Sequence, residues 1–198
     1  METQQKPASI IYTTGHSNRP LEEFIEILQA HGVSLVVDVR TVRRSQHNPQ
    51  FNGDTLAQAL KAAGIDYVPL PGLGGFRHPQ PNSVNTGWRN PSFRGYADYM
   101  QTKEFEDSLL RVIDLAKHHR VALMCAEAVP WRCHRSLIAD ALLARGIQVE
   151  DIYTKASPRA HHLTPWAKIS NTHVTYPLRE PEESHLADQG HSSDRLAG

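Results

Sequence analysis

Cys125 and Cys133 are the chain's two thiols, and each opens a polar motif: Cys125-Ala126-Glu127 and Cys133-His134-Arg135. A thiolate is a nucleophile only when its surroundings favour the charged form. Cys133 has Arg132, His134 and Arg135 beside it and stands just before a helical pattern, so cations and unpaired backbone N–H groups favour its thiolate. Cys125 closes an apolar run and reads as a small buried hydrophobe. Cys133 is therefore expected to be the more reactive thiol, with Glu127 and His16 as the accompanying candidates for acid or base catalysis.

Arginine supplies the second kind of chemistry. Within residues 1–170 there are 13 Arg against 6 Lys, and Arg is favoured where a planar fork must grip phosphate or carboxylate. Arg40 shares one side of an extended strand with Asp38. It is expected to face a crevice and bind an anionic ligand, with Asp38 orienting it, while Arg43 and Arg44 read as solvated. Ser17, Arg19, Arg94, Tyr96, His134 and Arg135 complete the candidate ligand-binding set. Arg94, Tyr96 and Tyr99 could close over the site or pack as ordinary helix residues. Gly72, Gly74 and Gly75 could cradle an anion or form a plain turn.

Alternating strands and helices must position these groups. Ile10 to Thr13, Ser34 to Arg40, Ile65 to Leu70, Val121 to Ala126 and Val149 to Tyr153 read as strands, the last near an edge. Helices are expected from Pro20 to Gly32, Asp54 to Gly64, Tyr96 to Met100, Phe105 to Ala116 and Ser136 to Arg145. The long segment from Pro71 to about Phe93 has the composition of a binding loop or lid. The pattern predicts a three-layer, Rossmann-like α/β domain over residues 8–157, with a largely parallel sheet of about five strands. Residues 158–198 read as an extension, disordered after about 180. In such a sheet the segments after each strand meet at one edge, where open α/β sheets bind ligands.

Thr14-Gly15-His16-Ser17-Asn18-Arg19, Val37-Asp38-Val39-Arg40, Asn48-Pro49-Gln50-Phe51, Leu70-Pro71-Gly72-Leu73-Gly74-Gly75, Phe93 through Met100, Cys125-Ala126-Glu127 and Cys133-His134-Arg135 follow one another in this order. Together they resemble the family known as domain of unknown function 488, over residues 10 to 155. The resemblance implies an α/β fold and a shared polar site, and no established reaction. Ala128-Val129-Pro130-Trp131-Arg132 is less acidic and polar than the resemblance leads one to expect.

Other readings are weaker. The interval from Cys125 to Arg132 is one residue too long for a phosphatase-type loop. The rhodanese-like echo in Val37-Asp38-Val39-Arg40 is followed by no matching cysteine loop. A zinc site from Cys125, Cys133, His134 and His16 lacks paired C-x-x-C spacing, so no metal is assigned, and no motif specifies a cofactor. The formal charge is zero, and residues 1–170 carry a net +3, too little for a broad nucleic-acid-binding face. With no long apolar stretch or signal peptide and two cysteines, a cytoplasmic, non-membrane protein with free thiols is expected. Two functions remain open: an enzyme acting on a phosphate-bearing or nucleotide-like ligand, or a non-catalytic nucleotide or nucleic-acid binding module.

Overall fold

A computed structural model of the protein describes residues 10–178. In chain order its elements are Ile11–Gly15 (β1), Leu21–Ala30 (α1), Leu35–Asp38 (β2), Gly53–Ala62 (α2), Asp66–Pro69 (β3), Pro91–Tyr99 (α3), Lys103–Leu115 (α4), Val121–Cys125 (β4), Arg135–Leu143 (α5), Val149–Asp151 (β5), Arg159–Ala160 (β6), Lys168–Ser170 (β7) and His173–Thr175 (β8). Short 3-10 turns occupy Pro49–Phe51, Pro71–Leu73 and Pro130–Arg132.

β1, β2 and β4 are buried at every position, as expected of apolar strands covered on both faces of a parallel sheet. The sheet order is β3-β2-β4-β1-β5-β6. Strands β1 to β5 are mutually parallel and β6 runs antiparallel to β5. The α/β fold is therefore the expected one, with six strands rather than about five. The additional strand covers the β5 edge.

Side-chain alternation along the strands divides the core into two layers. On one face Phe24, Ile27 and Leu28 of α1, with Leu56 and Leu60 of α2, pack on Tyr12, Val36, Ala122 and Met124. On the other, Leu109, Val112, Leu137 and Ile138 of α4 and α5 pack on Ile11, Leu35, Val37 and Leu123. The same alternation sends Asp38 toward α1 and α2, and Thr13 and Cys125 toward α4 and α5.

Packed chain continues past residue 157, since Val174 and Tyr176 belong to the second layer and the Tyr176 hydroxyl donates to Asp140 (2.9 Å). The disorder expected after residue 180 lies outside the described residues. The Pro71 to Phe93 loop is fastened rather than free. Asp98 accepts from Gln80 N (2.8 Å), Ser83 Oγ (2.6 Å) and Asn85 Nδ2 (2.8 Å), and α3 begins at Pro91 with Asn90 capping Ser92 N. Among the described residues no helix is long and apolar enough to cross a membrane.

Candidate functional site

The parallel strands deliver their carboxyl ends to one edge, and β1 and β4 stay in register beyond their last residues. His16 N donates to Cys125 O (3.0 Å) and Ser17 N to Ala126 O (2.9 Å). The close approach requires a glycine: a Cβ on Gly15 would lie 1.7 Å from the Glu127 carbonyl oxygen. The loops after β1, β2 and β4 thus form one wall.

A buried ion pair occupies the α1 and α2 side of this edge. Asp38, fully buried, accepts from Arg40 Nε (2.9 and 3.1 Å), Arg40 Nη2 (2.6 Å), Arg40 N (3.0 Å) and the Tyr67 hydroxyl (2.6 Å). Burial works against the Arg40 charge, and the Asp38 carboxylate more than offsets it, holding the guanidinium above its ordinary pKa. Burial and the Asp38 carboxylate push Tyr67 up to about 12.

His16 joins this network as a neutral ring. Its Nδ1 faces the Ser17 carbonyl (2.7 Å), which can only accept, so Nδ1 carries the proton and Nε2 accepts from Arg40 Nη1 (3.2 Å). The ring stacks on Phe51 at 4.2 Å. Burial, aided by the Arg40 charge, lowers its pKa to about 4. At neutral pH the ring is therefore uncharged, with Nδ1–H given to Ser17 O and Nε2 accepting from Arg40.

The thiols lie on the other side of the sheet. Cys125 and Cys133 place their sulfurs 2.8 Å apart. Arg135, fully buried at the first position of α5, directs Nε to Cys125 Sγ (2.9 Å), Nη1 to Thr13 Oγ1 (3.1 Å) and Nη2 to Glu127 O (2.7 Å). Thr13 in turn donates to Asp151 (2.5 Å). Among the described residues no carboxylate oxygen touches Arg135 directly, and an unbalanced buried charge is costly. The sulfur pair supplies the balancing negative charge.

His134 completes the arrangement. Its Nε2 donates to the Val39 carbonyl (3.3 Å), which turns Nδ1 toward Cys133 Sγ (3.5 Å). The ring is held between Tyr96 (4.9 Å between centroids) and Gly75. A nucleophile, a ring and a group orienting that ring are the parts of an activated thiol site. The Cys125 S–H, then His134 and Arg135, hold Cys133 well below the ordinary thiol range. Burial and the hydrogen bond with Cys133 push Cys125 well above it.

Cys133 and Cys125 line a cavity of about 570 Å3, together with Arg40, Arg44, Phe76, Phe93, Tyr96, Glu127, Arg132 and His134. A second cavity of about 480 Å3 holds His16, Ser17, Asn18 and Asn48 and shares a wall that includes Arg40, Arg44, Glu127 and Arg132. His16, Ser17, Arg40, Glu127, Tyr96, Cys133 and His134 therefore meet at this edge. Asp38 lies beneath it, fastened to Arg40.

Three expected ligand residues lie elsewhere. Arg135 is fully buried under the site with its donors spent on Cys125, Thr13 and Glu127. Arg94 gives Nε and Nη2 to the Trp88 carbonyl (3.0 and 2.8 Å). Arg19 gives Nη1 to the Tyr153 carbonyl (2.8 Å) and lines neither cavity.

Arg44 and Arg132, given no ligand role from sequence, line both cavities, and their guanidiniums carry no hydrogen-bond or ion-pair partner among the described residues. Their signal was proximity alone, Arg44 to Arg40 and Arg132 to Cys133. Among the described residues no group of three or more His, Cys, Asp or Glu could hold a metal ion.

Fold and site define an α/β protein in which two adjacent thiols and several arginines line a pocket at the carboxyl edge of the sheet. The chain belongs to the family Domain of unknown function DUF488, whose model matches residues 20–142. No curated protein matches it. Two crystal structures named "Putative phosphatase (DUF442)", from Shewanella putrefaciens CN-32 at 1.40 and 1.60 Å resolution, are similar to it in part. Each is 20% identical over 73% of this chain, covering 71% and 68% of the respective structures, with a TM-score of 0.39.

Proposed function

We propose that this protein binds a small anionic ligand, phosphate-bearing or nucleotide-like, at the carboxyl edge of its sheet, and that Cys133 is the nucleophile of a reaction on it. The observation that carries the reading is Cys133 in the wall of a cavity of about 570 Å3 whose rim holds two unpaired guanidiniums, Arg44 and Arg132. Free guanidiniums grip phosphate or carboxylate in a planar fork. Phe76, 82% exposed, and Phe93 offer faces on which a base or sugar can stack. His134 is positioned to exchange a proton with Cys133, and Glu127 stands in the same wall. A purely binding role uses the arginines alone and gives the Cys133–His134–Val39 alignment no purpose.

Paired alkylating reagents test binding and nucleophilicity together. Iodoacetamide is neutral and iodoacetate anionic, so their relative rates on Cys133 report whether the pocket concentrates anions. The ratio of iodoacetate to iodoacetamide labelling should exceed that of a free thiol, fall with added salt, and return to the free-thiol value in Arg44→Ala/Arg132→Ala. A wild-type ratio equal to that of a small-molecule thiol would remove the anion site. Labelling of Cys125 ahead of Cys133 would remove the nucleophile.

A further inference from the structure

We propose that Cys133 and Cys125 form a dithiol–disulfide couple, in which Cys133 takes up the oxidising equivalent of a small peroxide and Cys125 resolves it. The inference rests on the placement of the two sulfurs and does not depend on any ligand in the arginine pocket. The sulfurs stand 2.8 Å apart, so closing to a bond of about 2.05 Å asks for less than an ångström of movement. Both line the cavity. Cys133 is 4% exposed and Cys125 2% exposed, so a small oxidant and a reducing dithiol both reach them by way of this cavity.

The chemistry balances with groups already in place. Cys133 thiolate attacks one oxygen of hydrogen peroxide and the O–O bond breaks. A sulfenic acid forms, and the departing hydroxide takes a proton to become water. His134 Nδ1, which faces Cys133 Sγ at 3.5 Å, is placed to deliver that proton. Cys125 then loses its proton, its thiolate stabilised by Arg135 Nε at 2.9 Å. It attacks the sulfenic sulfur, forming the S–S bond and expelling hydroxide, which the released proton converts to a second water. One peroxide and two thiols give one disulfide and two waters. A dithiol restores the pair by exchange, attacking from the cavity side.

Arg135 makes this more than two thiols that happen to be close. Its guanidinium is the fixed cation that steadies negative charge on whichever sulfur holds it, first Cys133 and then Cys125. Fastening to Thr13 and the Glu127 carbonyl keeps it in place through the cycle.

Intact mass and peptide mapping after titration with hydrogen peroxide test the couple. The wild type should lose two hydrogen masses per chain, and trypsin, cutting after Arg132 and Arg135, should release Cys133-His134-Arg135 linked to the Cys125 peptide. Dithiothreitol should reverse the change. Cys125→Ser should stop at a sulfenic acid that dimedone traps on Cys133. Cys133→Ser should oxidise at Cys125 at least about tenfold more slowly, the factor expected of one unit in thiol pKa. Wild-type protein that accumulates sulfinic acid on Cys133 with no internal disulfide, or that forms only disulfides between chains, overturns the proposal. Equal oxidation of Cys125 and Cys133 in the two single variants overturns the assigned order. The ratio of iodoacetate to iodoacetamide labelling in the reduced protein does not depend on whether the two thiols can join, so failure of the couple is separable from failure of the anion site.

Discussion

Replacing Arg40 with Ala should cost stability more than ligand binding, the reverse of what its position at a strand end suggests. Asp38 is fully buried and takes three contacts from the Arg40 side chain, at 2.6, 2.9 and 3.1 Å. In Arg40→Ala the carboxylate keeps the residue-40 backbone N–H and the Tyr67 hydroxyl but loses its counter-charge. Breaking a buried pair by removing one partner costs about 3 to 5 kcal/mol. That is a large share of the roughly 5 to 15 kcal/mol by which domains are stable. For a chain of this size it lowers Tm by about 6 to 20 °C. Arg44→Ala removes an exposed, unpaired guanidinium and should change stability by no more than about 0.5 kcal/mol. Urea denaturation of the two variants and of Asp38→Asn/Arg40→Ala measures the difference. The double variant should regain part of the loss, because the orphaned charge is gone. An Arg40→Ala protein as stable as Arg44→Ala, or a double variant no better than the single, refutes the assignment of Arg40 as half of a buried pair.

Arg135→Met, close in length but uncharged, should shift the inflection of Cys133 alkylation upward by about one pKa unit or more, while Arg135→Lys retains most of the depression; equal profiles in both variants rule out the charge. The two buried histidines His161 and His16 together should contribute most to stability near pH 6.5. His161, held between Asp140 (2.9 Å) and Asp151 (3.7 Å), has its pKa raised to about 9 despite burial, so its contribution is complete below pH 6.5 and disappears as pH rises through about 9. His16, lowered by burial to about 4, stays neutral in the fold while the unfolded ring protonates, so stability falls as pH drops from 6.5 toward 4. At about 1.36 kcal/mol per unit, each limb is worth up to about 2 kcal/mol after solvent screening, and urea midpoints measured across this range, or a His161→Gln variant that keeps the alkaline limb, decide the matter. Closing the disulfide should tighten anion binding, since it removes the thiolate charge that neutralises Arg135; equal affinity of oxidised and reduced protein for inorganic phosphate contradicts that linkage.

The sheet was legible because burial on both faces writes itself into composition. Val121 to Cys125 and Leu35 to Val37 are unbroken apolar runs, and parallel pairing then forces the segments after them to one edge. β6 was illegible: two exposed residues, Arg159 and Ala160, pair with β5 through backbone alone. Tyr176 was hidden for a related reason, since its burial depends on Asp140, which lies 36 residues away. Arg19 and Arg94, expected at the ligand, instead reach the carbonyls of Tyr153 and Trp88, which no side-chain pattern announces.

The two buried arginines did leave signals. Asp38 and Arg40 sit two apart on a strand, which places both side chains on one side and makes each the other's nearest opposite charge. Arg135 opens α5, where the helix dipole disfavours a cation by about 0.3 to 1 kcal/mol. A cation accepted there and fully buried implies a compensating anion within reach, and no Asp or Glu occupies the first turn of that helix. The nearest groups able to hold a negative charge are the two sulfurs. Read this way, Cys-His-Arg at a helix start after a strand ending in Cys specifies more than a reactive thiol. It specifies a pair that in the reduced state holds negative charge against a buried guanidinium, which favours thiolate on either sulfur until the two join.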